Sequence, residues 1–62
     1  MSLTAQDRRL LTMLAEGKRD KEIGRELGVP SYWVRNHISS VMRKIEAKTR
    51  PRAVAMMLRE EI

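Results

Sequence analysis

Residues 20–46, DKEIGRELGVPSYWVRNHISSVMRKIE, decide the fold. Ile23 and Leu27 stand four apart and share one face of a helix. Gly28 closes that helix after about two turns, through the left-handed conformation that glycine adopts without strain. So short a helix is not stable alone and must be held by packing. A second helical pattern starts near Ser31 or Tyr32 and runs to Glu46. In it Val34, Ile38, Val41 and Ile45 are spaced four, three and four. At about 100° per residue these four side chains fall within about 60° of one another, a narrow apolar stripe. The opposite face carries Tyr32, Asn36, Ser39, Ser40 and Arg43, with Arg35 on one flank and Lys44 on the other. It has no acid before Glu46.

Outward from this stretch the pattern stays helical, with no strand signal and no low-complexity tract. Thr4 suits an N-cap, and Asp7 three residues on completes a weak capping box. Leu10, Leu11 and Leu14 form the apolar stripe of that first helix, which Gly17 ends. Asp20 is expected to cap the second helix. Glu22 lies in its first turn, where a negative charge suits the dipole, and is expected to pair with a nearby arginine. Thr49 is the expected cap of the last helix, with Pro51 in the first turn, where a missing N–H costs nothing. Val54, Met57, Leu58 and Ile62 make its apolar side, and Glu60 and Glu61 at the unfavourable end of the dipole predict fraying. The expectation is an all-α, compact four-helix single domain over residues 1–62, with helices at about 5–16, 20–27, 31–46 and 50–60.

The order Ile23-Gly24, Leu27-Gly28-Val29, then Val34 and Ile38 is that of a helix-turn-helix. Gly24 keeps a close crossing open, Gly28 supplies the turn, and Val29 drops between the helices. Val34 and Ile38 then pin the third helix by its inner side. Its polar face turns outward, and the major groove of duplex DNA, about 12 Å wide, admits one such helix.

Charge points the same way. The 62 residues hold 13 Lys+Arg and 8 Asp+Glu, a net +5 with a pI near 10.5. Residues 32–52 contain Arg35, Arg43, Lys44, Lys48, Arg50 and Arg52 against Glu46 alone, so they carry the entire excess. A basic surface concentrated in this way suits a polyanion. The chain has no cysteine and one histidine, His37, which excludes a disulfide framework and a metal site built on either. No cofactor is expected. A glycine-rich phosphate loop, a carboxylate pair and a nucleophile–base pair are all missing from the inventory, so an enzyme is not expected. No stretch approaches the ~18 apolar residues of a membrane span and no signal peptide opens the chain. The bacterial cytoplasm, at the nucleoid, is the expected location. Met1 and Ser2 are candidate additions to the natural start, and the chain is either complete or one domain of a longer protein.

From Leu3 to about Met57 the chain resembles the DNA-binding domain of LuxR/FixJ-type, or GerE-type, transcription regulators, response regulators among them. The resemblance rests on Leu3-Thr4, Leu14-Ala15-Glu16-Gly17-Lys18, Lys21-Glu22-Ile23-Gly24, Leu27-Gly28-Val29, Val34-Arg35-Asn36-His37-Ile38-Ser39 and Met42-Arg43-Lys44-Ile45. It implies base contacts from Arg35, Asn36 and Ser39. It implies phosphate contacts around the start of the third helix and near Lys44 and Lys48. It also implies a homodimer through the fourth helix on two half-sites. Pro30-Ser31 stands where the family usually has Ser-Pro, and Trp33 where it has Thr.

Taken with the helical wheel, the candidate phosphate contacts are Ser31, Tyr32, Trp33, Ser40, Arg43, Lys44, Lys48 and Arg50. The candidate dimer seam is Val54, Met57 and Leu58, and for Met56 and Met57 plain core packing is the open alternative. RNA polymerase is a further candidate partner. For several residues a second role is open. Arg35 reads a guanine or touches phosphate. Trp33 donates to phosphate or packs against the turn after the second helix. His37 is expected to be half-buried and bonded to a backbone carbonyl. Two rival functions share the scaffold: a promoter-reading module of the sigma-factor kind, and a helix-turn-helix that binds protein.

Overall fold

The structure, a computed structural model, describes residues 3–62. The expected domain starts at residue 1, and residues 1 and 2 lie outside those described. Four helices follow in order: α1 (Ala5–Ala15), α2 (Asp20–Leu27), α3 (Ser31–Lys44) and α4 (Arg50–Leu58).

The core divides into two clusters that α3 joins. Leu10 and Met13 of α1, Ile23 of α2, and Val34 and Ile38 of α3 form the first, with Leu14, Leu27, Val29 and Trp33 packed around it. Leu11 of α1, Val41 of α3, Ile45 and Ala47 just after it, and Ala53 of α4 form the second, flanked by Leu3, Met56, Met57 and Ile62. Met42 touches both clusters. The adjacent leucines 10 and 11 therefore serve different clusters, and the four-residue stripe of α3 is split evenly between them. Each such side chain taken out of water contributes about 1.5–3 kcal/mol.

The fourth helix packs differently from expectation. Its buried residue is Ala53; Val54 and Met57 are half-buried and Leu58 is 70% exposed. The small Ala53 lets the start of α4 approach α1 closely, which turns Val54 and Leu58 outward.

Helices α1, α3 and α4 end in the same way, with a residue in the left-handed region and a paired set of reversed hydrogen bonds. Lys18 N–H donates to the Met13 carbonyl (3.2 Å), Ala47 N–H to that of Met42 (2.9 Å) and Glu61 N–H to that of Met56 (2.9 Å). Gly17 provides the left-handed residue after α1, whereas after α3 and α4 it is Glu46 and Glu60, both at φ 57°. Left-handed backbone costs a residue with a Cβ about 1–2 kcal/mol, yet the pair of hydrogen bonds offsets it. Hence α3 stops at Lys44 rather than 46, α4 stops at Leu58 rather than 60, and the last turn of α4 is closed rather than frayed.

Caps account for the helix starts. Thr4 Oγ1 accepts from Asp7 N–H and Asp7 Oδ2 accepts from Thr4 N–H, both at 3.0 Å, which is a full capping box. Thr49 Oγ1 accepts from Arg52 N–H at 3.2 Å. Asp20 does not cap α2. Arg19 occupies the cap position, and Glu22 Oε1 accepts from Arg19 N–H at 3.0 Å instead of pairing with an arginine side chain. Asp20 thus becomes the first helical residue, with its carboxylate free to turn toward α4.

Asp7 has a second role that the capping pattern conceals. It is 1% exposed, and besides the cap its carboxylate accepts from Lys44 Nζ (2.8 Å, Oδ2) and His37 Nε2 (3.0 Å, Oδ1). An ionised carboxylate only accepts, so the proton of this contact sits on His37 Nε2. His37 is half-buried as expected, but its partner is this carboxylate and not a backbone carbonyl. Burial pushes the Asp7 carboxyl up; the Lys44 ammonium, the Thr4 N–H and His37 together outweigh it and hold it well below the usual carboxylate range.

Gly24 is buried, and a Cβ there would lie 2.6 Å from the Val29 carbonyl oxygen. The close crossing is thus with the backbone of the turn itself. Gly24→Val is expected to cost about 2–3 kcal/mol, read from urea unfolding, because the turn and not a flexible side chain has to move. The depressed Asp7 carboxyl stabilises the fold above the unfolded carboxylate value of about 3.9, and that contribution is lost as pH falls through the lower native value. Stability should therefore drop on acidification below about pH 4. Asp7→Asn should cost about 2 kcal/mol at neutral pH and flatten the acid slope. An unchanged slope would mean that the cluster of Asp7, His37 and Lys44 contributes nothing.

Candidate nucleic-acid interface

The turn between α2 and α3 sets how α3 is presented. Gly28 (φ 72°) reverses the chain, and Val29 N–H donates to the Gly24 carbonyl at 2.9 Å. Pro30, with φ −65°, caps α3, and its carbonyl accepts from Trp33 and Val34. No side chain caps this end, and no acid lies in its first turn. Val34, Ile38 and Val41, each 1% exposed or less, then fix the rotation of the helix about its axis.

With the rotation fixed, Arg35, Asn36 and Ser39 are all exposed on one side of α3. Ser31, Tyr32 and Arg43 are exposed with them, Tyr32 at 63%; Ser40 is half-buried. Lys48, in the turn before α4, is exposed. Trp33 packs against the first core cluster, its ring tilted over His37 with centroids 4.8 Å apart. Packing is therefore the role of its ring in this structure.

The basic residues fall into two sets. Lys44 is held by Asp7, and Arg50 makes a bidentate pair with Asp20, Nη1 to Oδ1 at 2.7 Å and Nη2 to Oδ2 at 3.0 Å. Arg50 holds the Asp20 carboxyl below its ordinary range, and Asp20 raises the Arg50 guanidinium above its own. Arg43 and Lys48 form no ion pair among the described residues. Arg35 is intermediate: its side chain is 63% exposed and its Nε lies 3.7 Å from Asp20 Oδ2.

Two cations that the sequence reading passed over belong with the free set. Lys21 and Arg25 of α2 are exposed and also form no ion pair among the described residues. Residues outside 32–52 balance to zero by count, but most of their acids are engaged. Asp7 is buried, Glu22 accepts from the backbone, and Glu26 pairs with Lys18 at 2.8 Å. The four-residue spacing of Lys21 and Arg25, opposite Ile23 and Leu27, was the signal available.

A separate apolar groove runs between the end of α1 and α4, lined by Leu14, Pro51, Val54, Ala55 and Leu58. Of the candidate seam residues, Val54 and Leu58 line it, while Met57 packs against the second core cluster. Among the described residues there is no group of three His, Cys, Asp or Glu side chains placed to hold a metal, and no helix is long and apolar enough to cross a membrane.

Residues 1–57 match the family described as bacterial regulatory proteins, luxR family. YhjB of Escherichia coli K12, named as an HTH-type transcriptional regulator, is 49% identical over 57 residues, 92% of this chain and 28% of its own length. The spore germination protein GerE of Bacillus subtilis 168 is 42% identical over 57 residues, 92% of this chain and 77% of its own. The transcriptional regulatory protein DesR of the same Bacillus is 42% identical over 52 residues, 84% of this chain and 26% of its own. The chain thus spans about a quarter of YhjB and DesR and most of GerE. No solved structure matches it significantly.

Proposed function

The chain belongs to the luxR family of bacterial regulatory proteins, a DNA-binding transcription-regulatory domain and not an enzyme, and on that premise we propose that it reads duplex DNA by laying α3 in the major groove. One observation carries this reading. The side of α3 opposite its buried stripe is open and polar, and presents Arg35, Asn36 and Ser39 together. Arg35 suits the O6 and N7 acceptors of guanine, and Asn36 suits the paired donor and acceptor of adenine. Ser39 discriminates little and bears on how closely the helix approaches.

Phosphate contacts fall to the exposed set. Ser31, Tyr32, Arg43 and Lys48 are free to make them, with Ser40 at the edge and Lys21 and Arg25 from α2. Lys44 and Arg50 have internal carboxylates as partners, and Trp33 is packed, so these three contribute mainly by holding the frame. Two copies joined along the groove at α4, through Val54 and Leu58, would place two reading helices on two half-sites, about 34–36 Å apart or a multiple of that. Met57, turned to the core, supports this seam from behind.

Selection from a randomised duplex library tests the base-reading assignment. Replacing Arg35 and Asn36 together by Ala should lower preference for the selected site by about ten- to a hundredfold while binding to unrelated duplex persists. Replacing Arg43 and Lys48 should instead weaken all duplexes alike and reduce the slope of log affinity against log salt by about 2. A double Arg35 and Asn36 variant that selects the same site as strongly would end the assignment.

The seam has its own test. Leu58→Glu should leave the unfolding midpoint nearly unchanged, since Leu58 is 70% exposed. It should bring binding to a two-half-site duplex down to that of a single half-site. Undiminished binding to the paired site would remove α4 from the interface.

A further inference from the structure

We infer that Asp20 is a positioning residue for base reading, holding the Nε edge of Arg35 so that its terminal Nη pair faces the groove. The inference rests on the assignment of Arg35 to a base. A guanidinium has two hydrogen-bonding edges, and a guanine needs one of them held flat in the plane of the base. Arg35 Nε lies 3.7 Å from Asp20 Oδ2, so the carboxylate faces the inner edge and leaves the Nη1/Nη2 edge open. The distance is that of an ion pair and is too long for a hydrogen bond, so the contact works by charge and orientation. In open water such a pair contributes little. Where a duplex excludes water on one side, the same contact gains strength.

The anchoring of Asp20 is what makes it fit for this. Its side chain is 18% exposed, at the first position of α2. Both carboxylate oxygens are taken by the Arg50 fork, at 2.7 and 3.0 Å, so the carboxylate cannot swing with Arg35. Arg50 also answers an electrostatic objection. A bare carboxylate beside the reading residue would repel the phosphates, and a guanidinium at hydrogen-bond distance cancels that charge locally. Arg50 thereby lets an acid sit next to the reading arginine at little electrostatic cost.

Asp20 is therefore predicted to govern one base position and no other. The test is site selection with position-by-position preferences, run on Asp20→Asn, Arg50→Gln, Arg35→Ala and the Asp20→Asn/Arg35→Ala double variant, with unfolding midpoints measured alongside. Asp20→Asn and Arg50→Gln both lose the bond between α2 and α4, so both midpoints should fall. Asp20→Asn should lower the preference at the base pair that Arg35→Ala identifies by about three- to tenfold, and Arg50→Gln, which keeps the carboxylate but unanchors it, should lower it at that same pair by less. In the Arg35→Ala background Asp20→Asn should change that preference no further. Asp20→Glu, which keeps the charge but displaces it by one methylene, should hold the fold and still blunt the same position. If Arg35→Ala erases the preference while Asp20→Asn and Asp20→Glu retain it, Asp20 is a structural staple only and the inference is overturned. If Arg35→Ala erases nothing, the base-reading assignment of Arg35 fails and the inference fails with it.

Discussion

The rotation of α3 about its own axis is the constraint on which everything else depends. Four side chains, Val34, Ile38, Val41 and Ile45, lie along one side of it and are all buried. They contact different partners, the first two facing Leu10, Met13 and Ile23, the last two facing Leu11, Ala47 and Ala53. A helix held at both ends of one stripe cannot roll without emptying two clusters at once. Rolling α3 by about 100°, one residue's turn, would in one sense bury Arg35 and expose an isoleucine. The outward set is thus defined by the inward set, which is why a chain this small presents a fixed polar face.

The parts of this frame that came straight from residue type were those with one physical solution. Thr4 with Asp7, Thr49 with Pro51, and the Gly28 turn each announce themselves locally, and each lies where the pattern puts it. The four-three-four spacing of α3 likewise left one inward side. The pattern failed where several solutions exist. Glu46 and Glu60 adopt left-handed backbone that glycine usually signals, so the ends of α3 and α4 came two residues earlier than expected. Asp20 resembles a cap, yet Glu22 satisfies the Arg19 N–H and releases it. On α4 the spacing favoured Val54, Met57 and Leu58, whereas close approach favoured the small Ala53. That choice depends on interhelical distance, which a single helix's periodicity does not contain.

The candidate site was legible as a face but not as a set of charges. Counting residues locates the excess in 32–52, and α3 does carry the open polar side. Counting does not tell which cations are already engaged. Lys44 lies one residue after Arg43, yet Lys44 reaches back to Asp7 on α1 and Arg43 does not. The difference follows from the rotation of α3, because position 44 falls toward α1 and position 43 away from it. Conversely, the neutral remainder of the chain carries exposed Lys21 and Arg25, since most of its acids are buried or spoken for. Charge offered to a polyanion is the formal charge less what the fold has already paired.

Those internal pairs also decide how the frame behaves as a unit. Asp7 ties the start of α1 to the middle and end of α3 through His37 and Lys44. Asp20 ties the start of α2 to the start of α4 through Arg50, beside Arg35. Each carboxylate therefore joins helices that lie far apart in sequence, where the small core alone would leave them hinged at short turns. Pairs of this kind contribute little to net stability, because desolvation offsets much of the attraction. Their contribution here is geometric. In the proposed docking, α3 would have to meet the bases closely and α4 would have to hold two such helices at a fixed separation. The carboxylate of Asp20 forks to Arg50 at the start of α4 and lies 3.7 Å from Arg35 of α3, so the two proposed surfaces, one for bases and one for a second copy, share one anchored carboxylate.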